Sequence, residues 1–450
     1  MMDLFINPDL FRVINEYTDL RSLCDTCTFL STLKTYITYK LTKEYSLMYY
    51  DVLFRNRVLN KICNPNKQLH LNLSYCDITD VSALGNVHTL NLCGCNIIDV
   101  SALGNVHDLN LSWCDNITDV SALGNVHTLN LCLCNITDVS ALGNVHTLVL
   151  CCKNITDVSA LGNVHDLDLS GCKNITDVSA LGNVHTLDLS CCDITDVSAL
   201  GNVTSLNLSH CKNITDVSAL GKVHTLNLSE NDIIDVSALG NVHTLNLNNC
   251  DNITDVSALG NVYDLNLSHC DNITDVSALG NVHTLNLSGC DNITDVSALG
   301  NVYDLNLSYC KNITDVSTLG NVHDLNLFWC NIVDVSALGN VHTLDLGWCK
   351  NITDVSALGN VISLDLGCCK NITDVSMLGN VHDLNLSGCN ITDVSALGNV
   401  HTLNLNCCKN ITDVSALGNV HTLNLSGCDN ITDVSMLGNV HILGLSDCEN

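Results

Sequence analysis

Three residue types with reactive side chains recur along this chain at fixed spacing. Cysteine stands three places after the second leucine of an L-x-L segment in 18 of 20 copies, among them Cys76, Cys290 and Cys428. Aspartate stands in all nineteen I-x-D-V units, from Asp80 to Asp433. Histidine precedes the L-x-L segment in fifteen copies, among them His88, His283 and His441. Thiols exchange disulfides or bind soft metals, carboxylates bind calcium, and imidazoles bind transition metals or move protons. Each column is therefore a candidate for chemistry.

The spacing sets those candidates in a different light. The three columns share one period, so all are products of an internal repeat. One copy, 281–300, reads N-V-H-T-L-N-L-S-G-C-D-N-I-T-D-V-S-A-L-G. The L-x-L segment occurs twenty times, from Leu71 and Leu73 to Leu443 and Leu445, and L-G-[NK]-V nineteen times. A fixed period of about 20 residues means a solenoid, which offers a surface rather than a pocket.

The phrase V-x-x-L-x-L-x-x-C-x-(x)-I-x-x-V-x-x-L-G-N resembles the leucine-rich repeat, over about 85 % of the chain. In 284–288, strand alternation turns Leu285 and Leu287 inward and Thr284, Asn286 and Ser288 outward. The resemblance implies an α/β solenoid of about 20 coils, each of about 19–20 residues, with a parallel sheet on a concave face. About a dozen residues remain for the convex return, so turns or short 3-10 segments are expected there, with Ile293, Val296 and Leu299 inward. Gly300 is expected to end each return through a positive φ. The phrase I-T-D-V-S-x-L resembles short-repeat members such as the internalin type.

Within this frame the columns have structural uses. Cysteine and asparagine are the residues that the resembled family places at the turn after the strand. A buried side chain there satisfies backbone groups of the neighbouring coil. Cys76, Cys290 and Asn231 are expected to serve so; Lys153 takes the place in one coil, with Cys152 one place early. Asp295 and its equivalents are expected to accept backbone N–H bonds of the following turn. A calcium column is the alternative, but the G-G-x-G-x-D signature is absent. Leu69, Thr204, Tyr263, Tyr303 and Ile362 replace histidine in five coils, which suits edge packing better than a ligand column, so no metal is expected. The vicinal pairs Cys151–Cys152, Cys191–Cys192, Cys368–Cys369 and Cys407–Cys408 are expected to turn one thiol inward and one outward.

No G-x-S-x-G, phosphate loop or H-E-x-x-H is found, so no enzyme and no cofactor is expected. The net charge of −30 is uneven: residues 1–68 hold nine Lys/Arg and seven Asp/Glu, the remainder eight and forty. Such an array repels nucleic acid and anionic membrane. There are 28 cysteines without a secretory signal, and no long apolar stretch, so reduced thiols in the cytoplasm are expected.

The repeats differ at the outward strand positions and at the two residues before the cysteine. All three tryptophans, Trp113, Trp329 and Trp348, sit there. Tyr309, Phe328, Trp329 and Trp348 fall on three adjacent coils, with Asp304, Asp324 and Asp345 nearby. Exposed aromatics of this kind mark partner sites, and Trp113 belongs to the same variable set. His210, Glu230 and His269 are weaker members. Drift after repeat duplication is the alternative.

Residues 1–64 do not repeat, and Pro65 marks the junction with an array at 65–450. Short amphipathic helices are expected over residues 10–17 and 20–33, with residues 35–62 mainly helical. The segment N-P-D-L-F-R-V-I-N-E-Y-T-D-L-R-S-L-C-D-T-C-T-F-L resembles an F-box, and its place before the array is that of F-box/leucine-rich-repeat proteins. Asn7 departs from the leucine before proline, and Thr28 from the basic residue near its end. The resemblance implies a substrate receptor of a cullin-type ubiquitin ligase. Pro8, Leu10, Ile14, Leu20 and Leu23 would dock a Skp-family adaptor, and the concave face would hold a protein substrate. A helical cap on a pure interaction scaffold is the alternative reading, and an internalin-like adhesin the third. The near-identical copies resemble the recent expansions of giant DNA viruses of amoebae, which would place the chain in a host cytoplasm.

Overall fold

The computed structural model describes residues 39–40, 43–51 and 69–446. Pro8, Leu10, Ile14, Leu20 and Leu23 lie outside them, as does Cys448. The chain forms two compact units, 1–213 and 214–450. Unit 1 holds strands β1 (Tyr39–Lys40), β2 (Leu69–Asn72) and β3 (Thr89–Asn91) through β9 (Ser205–Asn207). Unit 2 holds β10 (Thr225–Asn227) through β21 (Ile442–Gly444). Within each unit, successive strands pair parallel and in register, one coil to the next. Leu265, Leu285 and Leu305 thus stand side by side.

The reason is the repeat itself. So short a coil cannot enclose a core alone, and its apolar groups are buried only when stacked on copies. Leu285, Leu287, Cys290, Ile293, Val296 and Leu299 are all at most 1 % exposed. The return path is a short 3-10 turn over S-A-L, as at Ser297–Leu299. So little chain closes the coil that a longer helix has no room.

Glycine ends each turn for a reason the sequence reading missed. Gly300 has φ −63°, ordinary right-handed backbone. Positive φ is not what it supplies. A Cβ there would sit 2.4 Å from the carbonyl oxygen of Thr318 in the next coil. The equivalent distance at Gly280, to Ala298, is 2.3 Å. The glycine is demanded by the closeness of the coils.

Of the expected head, the described part differs from a run of helix. β1 is a two-residue strand that pairs with β2, Tyr39 beside Leu69. Helix α1 (Lys43–Met48) follows, and the Tyr50 hydroxyl donates to the Asp80 carbonyl at 3.1 Å. These residues cover the edge of the first coil. At the other end, Val434, Met436, Ile442, Leu443 and Leu445 stay exposed among the described residues. No described helix is long and apolar enough to cross a membrane.

One contrast tests the spacing argument. Gly280→Ala should lower stability by about 1–3 kcal/mol through overpacking. Gly438→Ala, in the same L-G-N phrase but with no described atom within 4 Å of the added carbon, should leave the unfolding midpoint in denaturant nearly unchanged. Equal effects at the two sites would contradict the account.

Candidate binding surface

Each strand ends in a tight turn, and one position in that turn has a distinctive backbone. The residue just before the ladder position has positive φ in every coil described there. Five of these residues are glycine, including Gly289 at +75°, and fourteen are not, including Trp113 at +62°, Tyr309 at +64°, Trp329 at +58° and Trp348 at +60°. The left-handed region costs an L-residue roughly 1–2 kcal/mol. Fourteen coils therefore carry a side chain where local energetics favour glycine. His210, Glu230 and His269 occupy this place too. The backbone is held there by the next coil: Trp329 N–H donates to the Gly347 carbonyl at 2.8 Å, and Trp348 N–H to Gly367 at 2.7 Å.

In unit 2 this position builds an aromatic column. The ring centroids of Tyr309 and Trp329 are 5.6 Å apart, and those of Trp329 and Trp348 are 5.8 Å apart. Phe328 meets Tyr309 edge-on at 5.4 Å. Tyr309, Trp329 and Trp348 remain exposed, at 41 %, 43 % and 39 %. Lys350 Nζ lies 5.5 Å from the Trp348 ring and 5.9 Å from the Trp329 ring, within cation–π range. Gly347 makes room for the cluster, because a Cβ there would come 2.9 Å from the Phe328 ring. Sequence reading named the aromatics and missed both Gly347 and Lys350. Trp113 takes the same backbone place in unit 1 and is 58 % exposed, so it belongs to a different unit from the other four.

Beside the column, the strand face is acidic. Asp304, Asp324, Asp345, Asp365 and Asp383 fall on five consecutive coils, and none of the described strands from β3 to β21 contains Lys or Arg. Burial, then the neighbouring Asp324 and Asp264, push the Asp304 carboxyl above its ordinary range. Burial also raises Asp345, opposed by the Gly347 N–H bond and assisted by Asp365.

The repeated columns have structural partners. Cys290 Sγ donates to the Leu267 carbonyl of the preceding coil at 3.1 Å, and burial pushes its thiol up to about 12. In the Lys153 coil the structure corrects the sequence reading. Cys152 is buried, its Sγ donates to Leu131 at 3.1 Å, and Lys153 is exposed. That coil carries Val149 where most carry Asn or Asp, and so lacks the side-chain oxygen that accepts the turn N–H elsewhere, as Asn286 does from Ser288 at 2.9 Å. Asn231 Nδ2 donates to the Leu228 carbonyl of its own coil at 2.9 Å, and Cys76 is only half-buried and donates to its own coil's Ser74 carbonyl at 3.6 Å rather than to a neighbouring coil. In each vicinal pair the second cysteine is buried and the first is not.

Asp295 Oδ1 accepts the Ser297 N–H at 2.9 Å. The other I-x-D-V aspartates do the same for their own serines, from Asp80 with Ser82 to Asp433 with Ser435. The side-chain bond from Ser297 and then its backbone N–H hold the Asp295 carboxyl below its ordinary range. The valine between them, not the aspartate, is the residue that precedes and caps the 3-10 turn, without a side-chain bond. Histidines stack ring on ring, His107 on His127 at 4.6 Å and His127 on His146 at 4.6 Å. Tyr263 and Tyr303 continue the stack, at 4.5 Å and 4.9 Å from the His283 ring, which explains those substitutions. Among the described residues, four places also gather two histidines and an aspartate.

A family model described as Leucine Rich repeat matches residues 69–85, 183–201, 202–221, 281–299 and 380–398. Among solved structures, an LRR protein from Leptospira interrogans is 18 % identical, covers 80 % of this chain and 97 % of its own, and has a TM-score of 0.50. Internalin InlF from Listeria monocytogenes is 22 % identical over 84 % of this chain and 92 % of its own, with a TM-score of 0.35. The functional domain of InlJ from the same organism, which includes a cysteine ladder, is 22 % identical over 76 % and 72 %, with a TM-score of 0.41. No curated protein matches the sequence.

His127 and the I-x-D-V aspartates give the fold an acid sensitivity of known sign. Burial and the charges of His107 and His146 lower the His127 value, so folding opposes its protonation, and stability falls as pH drops through about 6.5. The lowered aspartates add stability that is present above about pH 4 and lost below it. The melting temperature should therefore fall between about pH 8 and about pH 5, and fall again below about pH 4. A flat profile over the first interval would exclude the imidazole contribution.

Proposed function

We propose that this chain, a leucine-rich-repeat protein, is a non-enzymatic receptor that holds a protein partner on its strand face. The observation that carries the reading is the column Tyr309–Trp329–Trp348, with Phe328. Large aromatics stay exposed there, on backbone that costs energy to keep. Aromatic side chains on rigid backbone are the usual anchors of protein interfaces. The Cys, Asp and His columns supply turns and stacking, which favours binding over catalysis. The acidity of the strand face disfavours nucleic acid and anionic membrane as partners.

The finer reading adds the unrepeated N-terminus. Its F-box resemblance supports a role as substrate receptor of a cullin-type ubiquitin ligase in the cytoplasm. Pro8, Leu10, Ile14, Leu20 and Leu23 dock the Skp-family adaptor, and the array presents the bound protein for modification. The chain then acts by proximity and makes or breaks no bond itself. A second reading, a scaffold with a capped first coil and no ligase link, is favoured by β1 and α1, which cover that coil.

Two measurements separate these readings. Full-length chain should retain purified Skp-family adaptor, and Leu10→Ala with Leu20→Ala should abolish retention. No retention by the parent chain leaves the scaffold. In either case, Trp329→Ala with Trp348→Ala should reduce recovery of the array's protein partner at least tenfold, with the unfolding midpoint unchanged. Undiminished recovery would discard the aromatic column.

A further inference from the structure

The histidine column is not uniform. In most of its coils the residue after histidine is threonine, and the ring Nδ1 lies 3.3 Å from that hydroxyl, as in His127–Thr128 and His224–Thr225. In four coils the next residue is aspartate instead. There Nδ1 meets a carboxylate oxygen: His107–Asp108 at 2.8 Å, His165–Asp166 at 3.0 Å, and His323–Asp324 and His382–Asp383 at 3.2 Å. Each pair has a second imidazole packed on it from an adjacent coil. These are His88, His146, His342 and His401, with ring centroids 4.4–4.6 Å away. At each of the four places, one donor atom from each of the three residues lies within 4.8 Å of the others.

We infer that these four sets are binding sites for a divalent transition ion of the zinc, cobalt, nickel or copper class. Two imidazoles and one carboxylate suit such ions better than magnesium or calcium, which prefer oxygen alone. With the carboxylate itself a ligand, the ion enters between Nδ1 and the carboxylate oxygen, and any proton held there is released on binding. Bonds of about 2.0–2.1 Å to a tetrahedral ion place donors roughly 3.3 Å apart. The sets must close from their present spacing by side-chain rotation. They are free to do so, because the side chains of His107, Asp108, His382 and Asp383 are 36–53 % exposed. The backbone beneath them is already fixed by the ladder, in which His107 N–H donates to the His88 carbonyl at 3.0 Å. Three protein donors leave coordination positions open to water or to a donor from another molecule.

The tyrosine coils sharpen the assignment. Asp264 and Asp304 follow Tyr263 and Tyr303 rather than histidine, and neither aspartate belongs to such a set among the described residues. The motif is therefore H-D in one coil with H at the same place in the next or previous coil. This site is independent of the aromatic column, which lies past the other end of each strand.

The test is a zinc titration of the metal-free full-length chain against a competing chromophoric chelator. Cobalt is titrated in parallel, because direct coordination gives it visible ligand-field bands. Four ions per chain are expected. Each of Asp108→Asn, Asp166→Asn, Asp324→Asn and Asp383→Asn should remove one site or weaken it at least tenfold, and the fourfold variant should lose uptake. These exchanges are isosteric, and circular dichroism checks their folding. His224→Gln with His243→Gln, a stacked pair followed by threonine, should keep four sites. Absence of zinc uptake and of cobalt bands in the parent chain would overturn the proposal. So would a loss in the His224/His243 control as large as in the aspartate variants, because it would reveal unspecific imidazole affinity.

Discussion

The array depends on register between coils. Within each unit, each strand bonds to its counterpart in the neighbouring coil, and each inward side chain packs on copies of itself. That constraint explains residues that otherwise look like chemistry. Cys290 is small, apolar and able to donate weakly, so it fits a buried turn and reaches the Leu267 carbonyl of the coil before. Asp295 brackets the turn that brings the chain back. Gly300 lets the next coil approach. All three serve the same purpose, closing a short coil against its neighbour without leaving backbone polar groups unpaired.

A frame so fully determined confines variation to the few places that touch no neighbour's core. The left-handed turn position is the chief one. Its side chain points out of the ladder while its N–H stays in it, so a bulky group there costs backbone energy and little packing. Clustered aromatics at such a place form a rigid, solvent-facing surface, and the adjoining aspartates give it a sign. Variation on this molecule is thus decoration on a repeated frame, and its aromatic decoration is densest on the coils from Tyr309 to Trp348.

Much of this was legible in the sequence, because strand alternation and the period are strong signals. Leu285 and Leu287 inward, a short 3-10 return, and a parallel sheet follow from them. What was hidden depends on a neighbour rather than on the local phrase. Gly300 suggested positive φ, yet its φ is ordinary and the demand comes from Thr318 in the next coil. The left-handed turn was indicated by Gly94, Gly171, Gly289, Gly388 and Gly427 at one position, a pattern obscured by the tryptophans that share it. Cys152 seemed displaced until the shortened turn showed that it, not Lys153, enters the ladder. The histidine replacements Tyr263 and Tyr303 argued against a role in common, and the stack shows that aromaticity is what those coils keep. Around Pro8, Leu10 and Leu20 the motif alone carries the F-box resemblance.

The most direct test of the central claim, that the repeated thiols belong to the frame, is alkylation of the native full-length chain with iodoacetamide, mapped by peptide mass spectrometry over time. Among the described residues, the ladder cysteines other than Cys76 are buried, and burial raises the thiols of Cys290 and Cys349; thiolate character and access set reactivity. The account predicts fast labelling at the exposed Cys191 and Cys407, and labelling of Cys290, Cys310 and Cys349 only when the chain is unfolded. Labelling of those three in the native chain at the rate of Cys191 would contradict it.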